Sequence, residues 1–276
     1  MRDLIKKWLK DGTVDIFLAY KPLFGHYLPH GFVKARLDEV DDLVDGAARY
    51  SLEKIATHLA ARNPDVKIGM LARDCNQRAL KALMIWNQLA EGKVKTVPLN
   101  CCPSDLKPHA DCSYMEPLPS GDYKKTVGIE NNQSLEALQA YPAHERLARW
   151  MYEFQKCIKC YGCRNVCPVC FCEDCSLAHN DLIGTGRLPP DVPIFHLVRA
   201  AHMAGRCVDC GLCEEACPVD IPLRLLYRKV NALCSELFDY QPGVSDGVSP
   251  FNVIGDEVTL EPKPMIETGK IVSHPN

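Results

Sequence analysis

The chain has 276 residues, of which 24% are charged, and a formal net charge of -3. A chain of this length usually forms about two domains. Its charged residues do not form the basic stripe that is typical of a nucleic-acid-binding protein. The chain contains sixteen cysteines. Its sequence shows neither an apolar leader nor an uncharged apolar run of about 18 residues. We therefore expect a cytoplasmic protein without a membrane span, whose cysteines bind metal rather than form disulfides.

The first hundred or so residues alternate between strand and helix patterns. Short apolar runs predict buried strands at Val14–Tyr20, Val66–Ala72 and Val94–Leu99. Apolar residues at helical spacing predict helices at Ser51–Arg62, with Ser51 as N-cap, and at Asn76–Glu91. Strands separated by single helices are typical of a parallel sheet in an α/β domain.

Three cysteines follow predicted strands. Cys75 comes after the second strand and opens a helix, while Cys101 and Cys102 come after the third. Ligands of open parallel sheets gather beyond the carboxyl ends of the strands. These cysteines therefore lie where a cofactor is expected.

The rest of the chain divides at changes in pattern. Leu106–Tyr141 is irregular and suggests a linker, and helices are predicted at Pro142–Lys156, Ile194–Arg206 and Ile221–Phe238. We predict an α/β domain at 1–145, a small α+β ferredoxin-like dicluster domain with a cysteine-rich insertion and flanking helices at 146–240, and an extended tail at 241–276.

A cysteine motif with the spacing C-x2-C-x2-C-x3-C-P occurs twice. This is the run of a bacterial two-cluster ferredoxin, in which three cysteines of each copy bind one [4Fe-4S] cluster and the fourth binds the other. The predicted first set is Cys157, Cys160, Cys163 and Cys217. The predicted second set is Cys207, Cys210, Cys213 and Cys167. Gly162 and Gly211 would supply permissive backbone beside the clusters.

Zinc is the alternative metal, because Cys-x2-Cys pairs also build tetrahedral zinc sites. A zinc site needs only two such pairs, so two complete copies of the longer motif favour two [4Fe-4S] clusters.

Three more cysteines, Cys170, Cys172 and Cys175, follow the first motif and have no place in the two ferredoxin-type sets. Three close thiols in a reducing compartment suggest a third centre, most simply a third Fe–S cluster completed by the N-terminal domain. Cys75 is the first candidate for the distant ligand, and Cys101 or Cys102 the next, with Cys112 also available. A small zinc site or buried thiols are the alternatives.

Other polar groups have structural interpretations beside functional ones. His196 and His202 lie on the helix before the second motif, where they would either tune a cluster or be ordinary helix residues. Cys234 lies beside an apolar helical stripe, which favours a small buried hydrophobe. Arg73, Asp74 and Arg78 flank Cys75 and are candidates for contacts to a phosphate or ring, or for charges beside a cluster.

Five segments resemble a known family. "KIGMLARDCNQRAL", "PLNCCPSD", the two cysteine blocks and "ELFDYQPG" are similar to the β-subunit family of coenzyme F420-type hydrogenases and dehydrogenases, in members fused to a dicluster ferredoxin domain. The resemblance implies an electron-transfer subunit of an anaerobic formate dehydrogenase, hydrogenase or heterodisulfide-reductase type complex, working beside other redox subunits rather than as a stand-alone enzyme.

The resemblance also leaves a second function open. Members of this family that reduce the deazaflavin carry FAD, although this chain has no G-x-G-x-x-G phosphate loop. The alternative is therefore a flavin-containing β subunit that exchanges hydride with a deazaflavin or nicotinamide and passes electrons to the clusters.

Overall fold

The computed structural model describes residues 1–45, 49–99, 129, 134–179, 183–184 and 187–252. Its N-terminal half contains a four-stranded sheet with the order β2-β1-β3-β4. The strands are β1 Ile16–Leu23, β2 His26–Val33, β3 Ile68–Ala72 and β4 Val94–Pro98. β1, β3 and β4 run parallel, while β2 pairs antiparallel with β1. The predicted α/β class is thus confirmed.

The β2 strand was not predicted from the sequence. A hairpin connects it to β1 through Phe24 and Gly25, both with positive φ, 53° and 78°. Two-residue hairpin loops favour this backbone, but a Phe at the first position hides the usual Asn-Gly or Asp-Gly signal. The sheet is therefore mixed at one edge.

Central strands are apolar because both their faces are covered. Every residue of β3 is buried. A Cβ on Gly69 would lie 2.3 Å from the Phe17 ring, so only glycine allows β1 and β3 to pair here. Helix α1 (Arg2–Asp11) packs Ile5 and Leu9 into the core around Phe17.

Two helices follow strands as predicted. Helix α2 spans Leu52–Arg62 and helix α3 spans Asp74–Ile85, which places Cys75 in its first turn. Ser51 occupies the N-cap position but does not cap α2, because its hydroxyl lies 3.4 Å from Glu53 Oε2. The predicted N-cap position of Ser51 is therefore confirmed, although its side chain makes no capping bond.

The second half of the chain is mainly helical. Its described helices include α5 Ala143–Gln155, α6 Gly162–Asn165, α7 Ile194–His202, α8 Leu212–Glu215 and α9 Leu223–Phe238. Most of the predicted linker lies outside the described residues. Its last part contains a short helix, α4 (Leu135–Gln139), capped by Ser134, so the prediction of irregular structure is wrong there.

One hydrophobic core contains side chains from both halves. Met70, Ala79 and Leu83 of the sheet region cluster with Phe154 and Tyr227 of the second half. The first residues of the predicted tail also pack on α3, since Asp246 pairs with Lys81 at 2.6 Å and Asn252 donates to the Ile85 carbonyl at 2.9 Å. The described helices include none with the length and apolarity that crossing a membrane requires.

Candidate metal centre

The two cysteine motifs adopt the same local backbone. The second copy lies fifty residues after the first, and residues with positive φ occur at matching places: Lys159 and Tyr161 in one, Asp209 and Gly211 in the other. In each copy a short helix follows, α6 or α8, and the two helices pack together. The repeated motif is therefore a repeated structure.

The two glycines have different roles. Gly211 has a φ of 77°, as expected for permissive backbone, but its counterpart in the first copy is Tyr161 with a φ of 58°. Gly162 instead lies against the second copy, where a Cβ would be 3.0 Å from the Ala216 carbonyl oxygen. Glycine there permits the close approach that brings Cys217 beside the first copy.

The second predicted set surrounds one cavity. Cys167 from the first copy and Cys207, Cys210 and Cys213 from the second line it, together with apolar residues and the polar residues Arg199, Asp209, Arg224 and Tyr227. Burial raises the pKa of the Cys207 thiol to about 12 and also raises the pKa of Cys210 and Cys213. These thiols become thiolates only if a cation compensates for the loss of water.

The first predicted set lies closer to the surface. Burial, and then the charges of Cys163, Cys217 and Cys160, raise the pKa of Cys157 to about 11, so the four thiols are neighbours. Cys160 is exposed. The Lys159 amide donates to Cys157 Sγ, and the Ile221 amide donates to Cys217 Sγ, each at 3.4 Å. Such amide–sulfur bonds tune the potential of a bound cluster.

Four thiols around each position fit a [4Fe-4S] cluster, which is held by four cysteine thiolates. Among the residues that the structure describes, no three His, Cys, Asp or Glu side chains converge on the position of a single metal ion. A cuboid [4Fe-4S] cluster does not require its thiolates to converge on one point, because each thiolate binds a different iron.

Side chains from other elements hold the loop between Cys207 and Cys210. Asn231 donates to the Cys207 carbonyl at 2.8 Å, Arg78 donates twice to the Val208 carbonyl at 3.2 Å, and Arg49 donates to the Cys210 carbonyl. Arg78 thus contacts a cysteine loop, which is the second of the interpretations that its sequence position allowed.

Asp209 in the same loop accepts from two arginines of α9. Its carboxylate contacts Arg224 at 2.6 and 3.0 Å and Arg228 at 3.0 Å. These contacts join positions fifteen or more residues apart that no short motif links, so they were not predictable from the sequence.

Arg73 and Asn76, which flank Cys75 in the sequence, belong to a network of buried polar side chains. Arg73 and Glu53 are both nearly inaccessible, and Asn76 contacts Glu53 through its amide. Burial raises the pKa of Glu53, with Asn76, Ser51 and Arg73 opposing the rise. Arg73 therefore takes part in a packed network rather than in an open phosphate site.

The extra cysteines have cationic neighbours. Arg199 donates to Cys170 Sγ at 3.8 Å, and Arg206 donates to Cys172 Sγ at 3.7 Å while stacking on Trp86 and Phe171.

Cys175 packs with Cys157 in an apolar cluster of the second half. Cys75 is half-buried. Its charge adds to the effect of burial in raising the pKa of Cys210. Cys101, Cys102 and Cys112 lie outside the described residues.

His196 is enclosed by aromatic rings. It is 1% exposed and stacks on Phe154 at 4.5 Å between ring centroids. Burial, and then the charge of Arg199, lower its pKa to about 4. His202 is more exposed, and burial followed by Arg206 lowers its pKa as well. His196 is therefore a neutral core residue at neutral pH.

The lowered pKa of His196 predicts that the folded chain becomes less stable as pH decreases. The unfolded chain binds a proton at this site below pH 6.5, whereas the folded chain does so only below about pH 4. Stability therefore falls as pH decreases through this window, by about 2 kcal/mol from pH 7 to pH 5. Thermal unfolding under anaerobic conditions measures it, and His196→Phe should remove this part of the pH dependence. An equal loss in the variant would contradict the assignment.

The fold and the paired cysteine sets define an iron–sulfur protein with an α/β part beside a dicluster domain. Residues 153–221 match the family model of a 4Fe-4S dicluster domain.

The chain is 40% identical over 116 residues to the F420-dependent formate dehydrogenase subunit beta of Methanocaldococcus jannaschii, which covers 42% of this chain and 30% of that protein. It is 39% identical over 160 residues to the F420-dependent formate dehydrogenase 1 subunit beta of Methanococcus maripaludis, which covers 58% of this chain and 38% of that protein. The resemblance seen in the sequence is thus confirmed, and the chain spans about a third of the length of these relatives.

Proposed function

We propose that the chain is an electron-transfer subunit in which two [4Fe-4S] clusters relay single electrons. The observation that carries this proposal is the cavity that Cys167 shares with Cys207, Cys210 and Cys213, because it joins the two copies as a dicluster ferredoxin requires. A bound cluster accepts and releases one electron at a time. The protein residues hold it, exclude water and adjust its potential.

The two sets have different roles in this proposal. The first set includes the exposed Cys160 and faces an external redox partner. The second set lies deeper, and Cys75 and Arg78 bring the N-terminal part of the chain against it. Electrons therefore pass between the surface and the α/β part through the two sets in order.

A third Fe–S centre at Cys170, Cys172 and Cys175 completes the proposal. The guanidinium groups beside Cys170 and Cys172 support it, because a nearby cation favours the thiolate that binds metal. Cys75, Cys101 and Cys102 are the candidates for its remaining ligand.

The names of the relatives guide the choice of partners. Both are subunits of an F420-dependent formate dehydrogenase by name. We infer that this chain works in the cytoplasm with other redox subunits of a formate dehydrogenase, hydrogenase or heterodisulfide-reductase type complex. The division into an α/β domain at 1–145, a dicluster domain at 146–240 and a tail at 241–276 belongs to this proposal.

Counting iron and flavin per chain tests these assignments. Anaerobically purified protein should contain about twelve iron atoms and no flavin if three clusters are present. About eight iron atoms would remove the third centre, and stoichiometric FAD would favour the flavin-containing alternative.

A cysteine variant tests the third centre separately. Cys172→Ser should lower the iron content by about one cluster and leave the two ferredoxin-type clusters in place. Cys234→Ser is the matched control, because Cys234 is buried on α9 and belongs to neither motif. Unchanged iron in Cys172→Ser would contradict the third centre.

A further inference from the structure

A buried arginine lies between the two sets of cysteines. Arg199, on α7, is 2% exposed. Its Nη2 donates to the Cys163 carbonyl at 2.7 Å, and its Nη1 donates to Cys170 Sγ at 3.8 Å. It also lines the cavity of the second set. One cation therefore touches all three groups of cysteines.

The neighbours of Arg199 that carry negative charge are cysteines and a tyrosine. Burial alone would lower the pKa of Arg199, but the charges of Tyr227, Cys167, Cys163 and Cys170 raise it well above its usual value. In the described part of the chain, no carboxylate hydrogen-bonds to this guanidinium, whose acceptors there are a carbonyl and a sulfur. A guanidinium stays charged in proteins, and a buried charge needs a compensating charge.

Tyr227 adds a hydrogen-bond donor at the same place. Its side chain is 2% exposed and lines the cavity with Cys167, Cys207, Cys210 and Cys213. Its hydroxyl has no hydrogen-bond partner among the described residues. The Arg199 guanidinium carbon lies 5.7 Å from the centre of the Tyr227 ring. Buried hydroxyls usually have a partner, so this one is available to an acceptor in the cavity.

We propose that Arg199 raises the reduction potentials of both ferredoxin-type clusters together, and that Tyr227 raises the potential of the cluster in the second set. This inference rests on the proposed iron–sulfur function. Reduction adds one negative charge to a cluster, and a fixed positive charge or a hydrogen-bond donor nearby favours the reduced form. Because Arg199 lies between the sets, it shifts both potentials in the same direction, which keeps electron exchange between them easy in either direction.

Redox titration of the purified chain, followed by electron paramagnetic resonance, tests this inference. Arg199→Gln keeps hydrogen-bonding capacity and removes the charge, and it should lower the equilibrium constant for reduction of each cluster by about tenfold, or about 59 mV per cluster. Arg199→Lys should restore most of the shift. Tyr227→Phe should lower the potential of the second-set cluster alone.

Arg149 provides the matched control. It lies fifty residues before Arg199, on α5, and stacks on Tyr141 at 4.0 Å from the ring centre. Arg149→Gln should leave both potentials unchanged.

Clusters that bind normally in Arg199→Gln with unchanged potentials would overturn the inference. If that variant loses its clusters, Tyr227→Phe and Arg199→Lys decide, and an unchanged second-set potential in Tyr227→Phe overturns it. Absence of iron from the unmodified chain would instead overturn the proposed function.

Discussion

Cys213→Ser should remove the second-set cluster and leave the first. Cys213 is 9% exposed and lines the cavity with the three other members of its set. Serine oxygen is a poor replacement for a thiolate at iron, and among the described residues no other cysteine lines this cavity. Iron content should fall by about four atoms per chain, and the thermal unfolding temperature should fall because cluster binding stabilises the folded chain.

The control for this prediction is Cys234→Ser, which changes another buried cysteine, one that belongs to none of the candidate sites. It should retain all the iron. If Cys213→Ser also retained its full iron content, the division of the eight cysteines into two crossing sets would be wrong.

Asp209→Ala should destabilise the chain by about 2 kcal/mol or more. The change removes a carboxylate that contacts Arg224, whose side chain is 8% exposed. Removing one partner of a buried ion pair is costly, and the 30% exposure of Asp209 moderates the effect. The unfolding temperature should fall by about 4 to 8 °C, and the second-set cluster should be released more readily to an iron chelator.

Asp239→Ala is the control that distinguishes the effect of backbone strain at Asp209 from the effect of losing its ion pairs with Arg224 and Arg228. Asp239 also has a positive φ, 48° against 53° for Asp209, but it ends α9 at the surface. A similar fall in the unfolding temperature of both variants would show that backbone conformation, and not the contact with Arg224 and Arg228, stabilises the loop.

Local patterns were enough to predict much of this fold. The apolar runs at β1 and β3 identify strands because burial on both faces requires continuous apolar residues. β4 was also predicted as a buried strand, but it lies at the edge of the sheet and only Val97 in it is buried. The helices around Cys75 and before each motif were also predicted, since their apolar spacing and neighbouring turns are visible in the sequence. The antiparallel strand β2 at the edge of the sheet was not predicted, because the hairpin loop has Phe24 where Asn or Asp usually precedes the glycine.

Features of the site that depend on distant residues were not predictable. Nothing near Arg199 in the sequence indicates that its guanidinium reaches Cys163 and Cys170, because helix packing alone brings them together. The contacts of Arg49 and Arg78 with the Cys207–Cys210 loop also join distant parts of the chain. The cysteine motif was enough to predict the candidate metal ligands, whereas the residues proposed to adjust the potential of a bound cluster could be identified only from the structure.

Electron paramagnetic resonance of the anaerobically purified and fully reduced chain, together with elemental analysis, tests the central claim most directly. Two [4Fe-4S] clusters held by crossing cysteine sets lie close together, so their reduced forms should give a signal broadened by spin–spin interaction, with about two spins per chain from these clusters. Zinc in place of iron, with no signal from the reduced chain, would contradict the account.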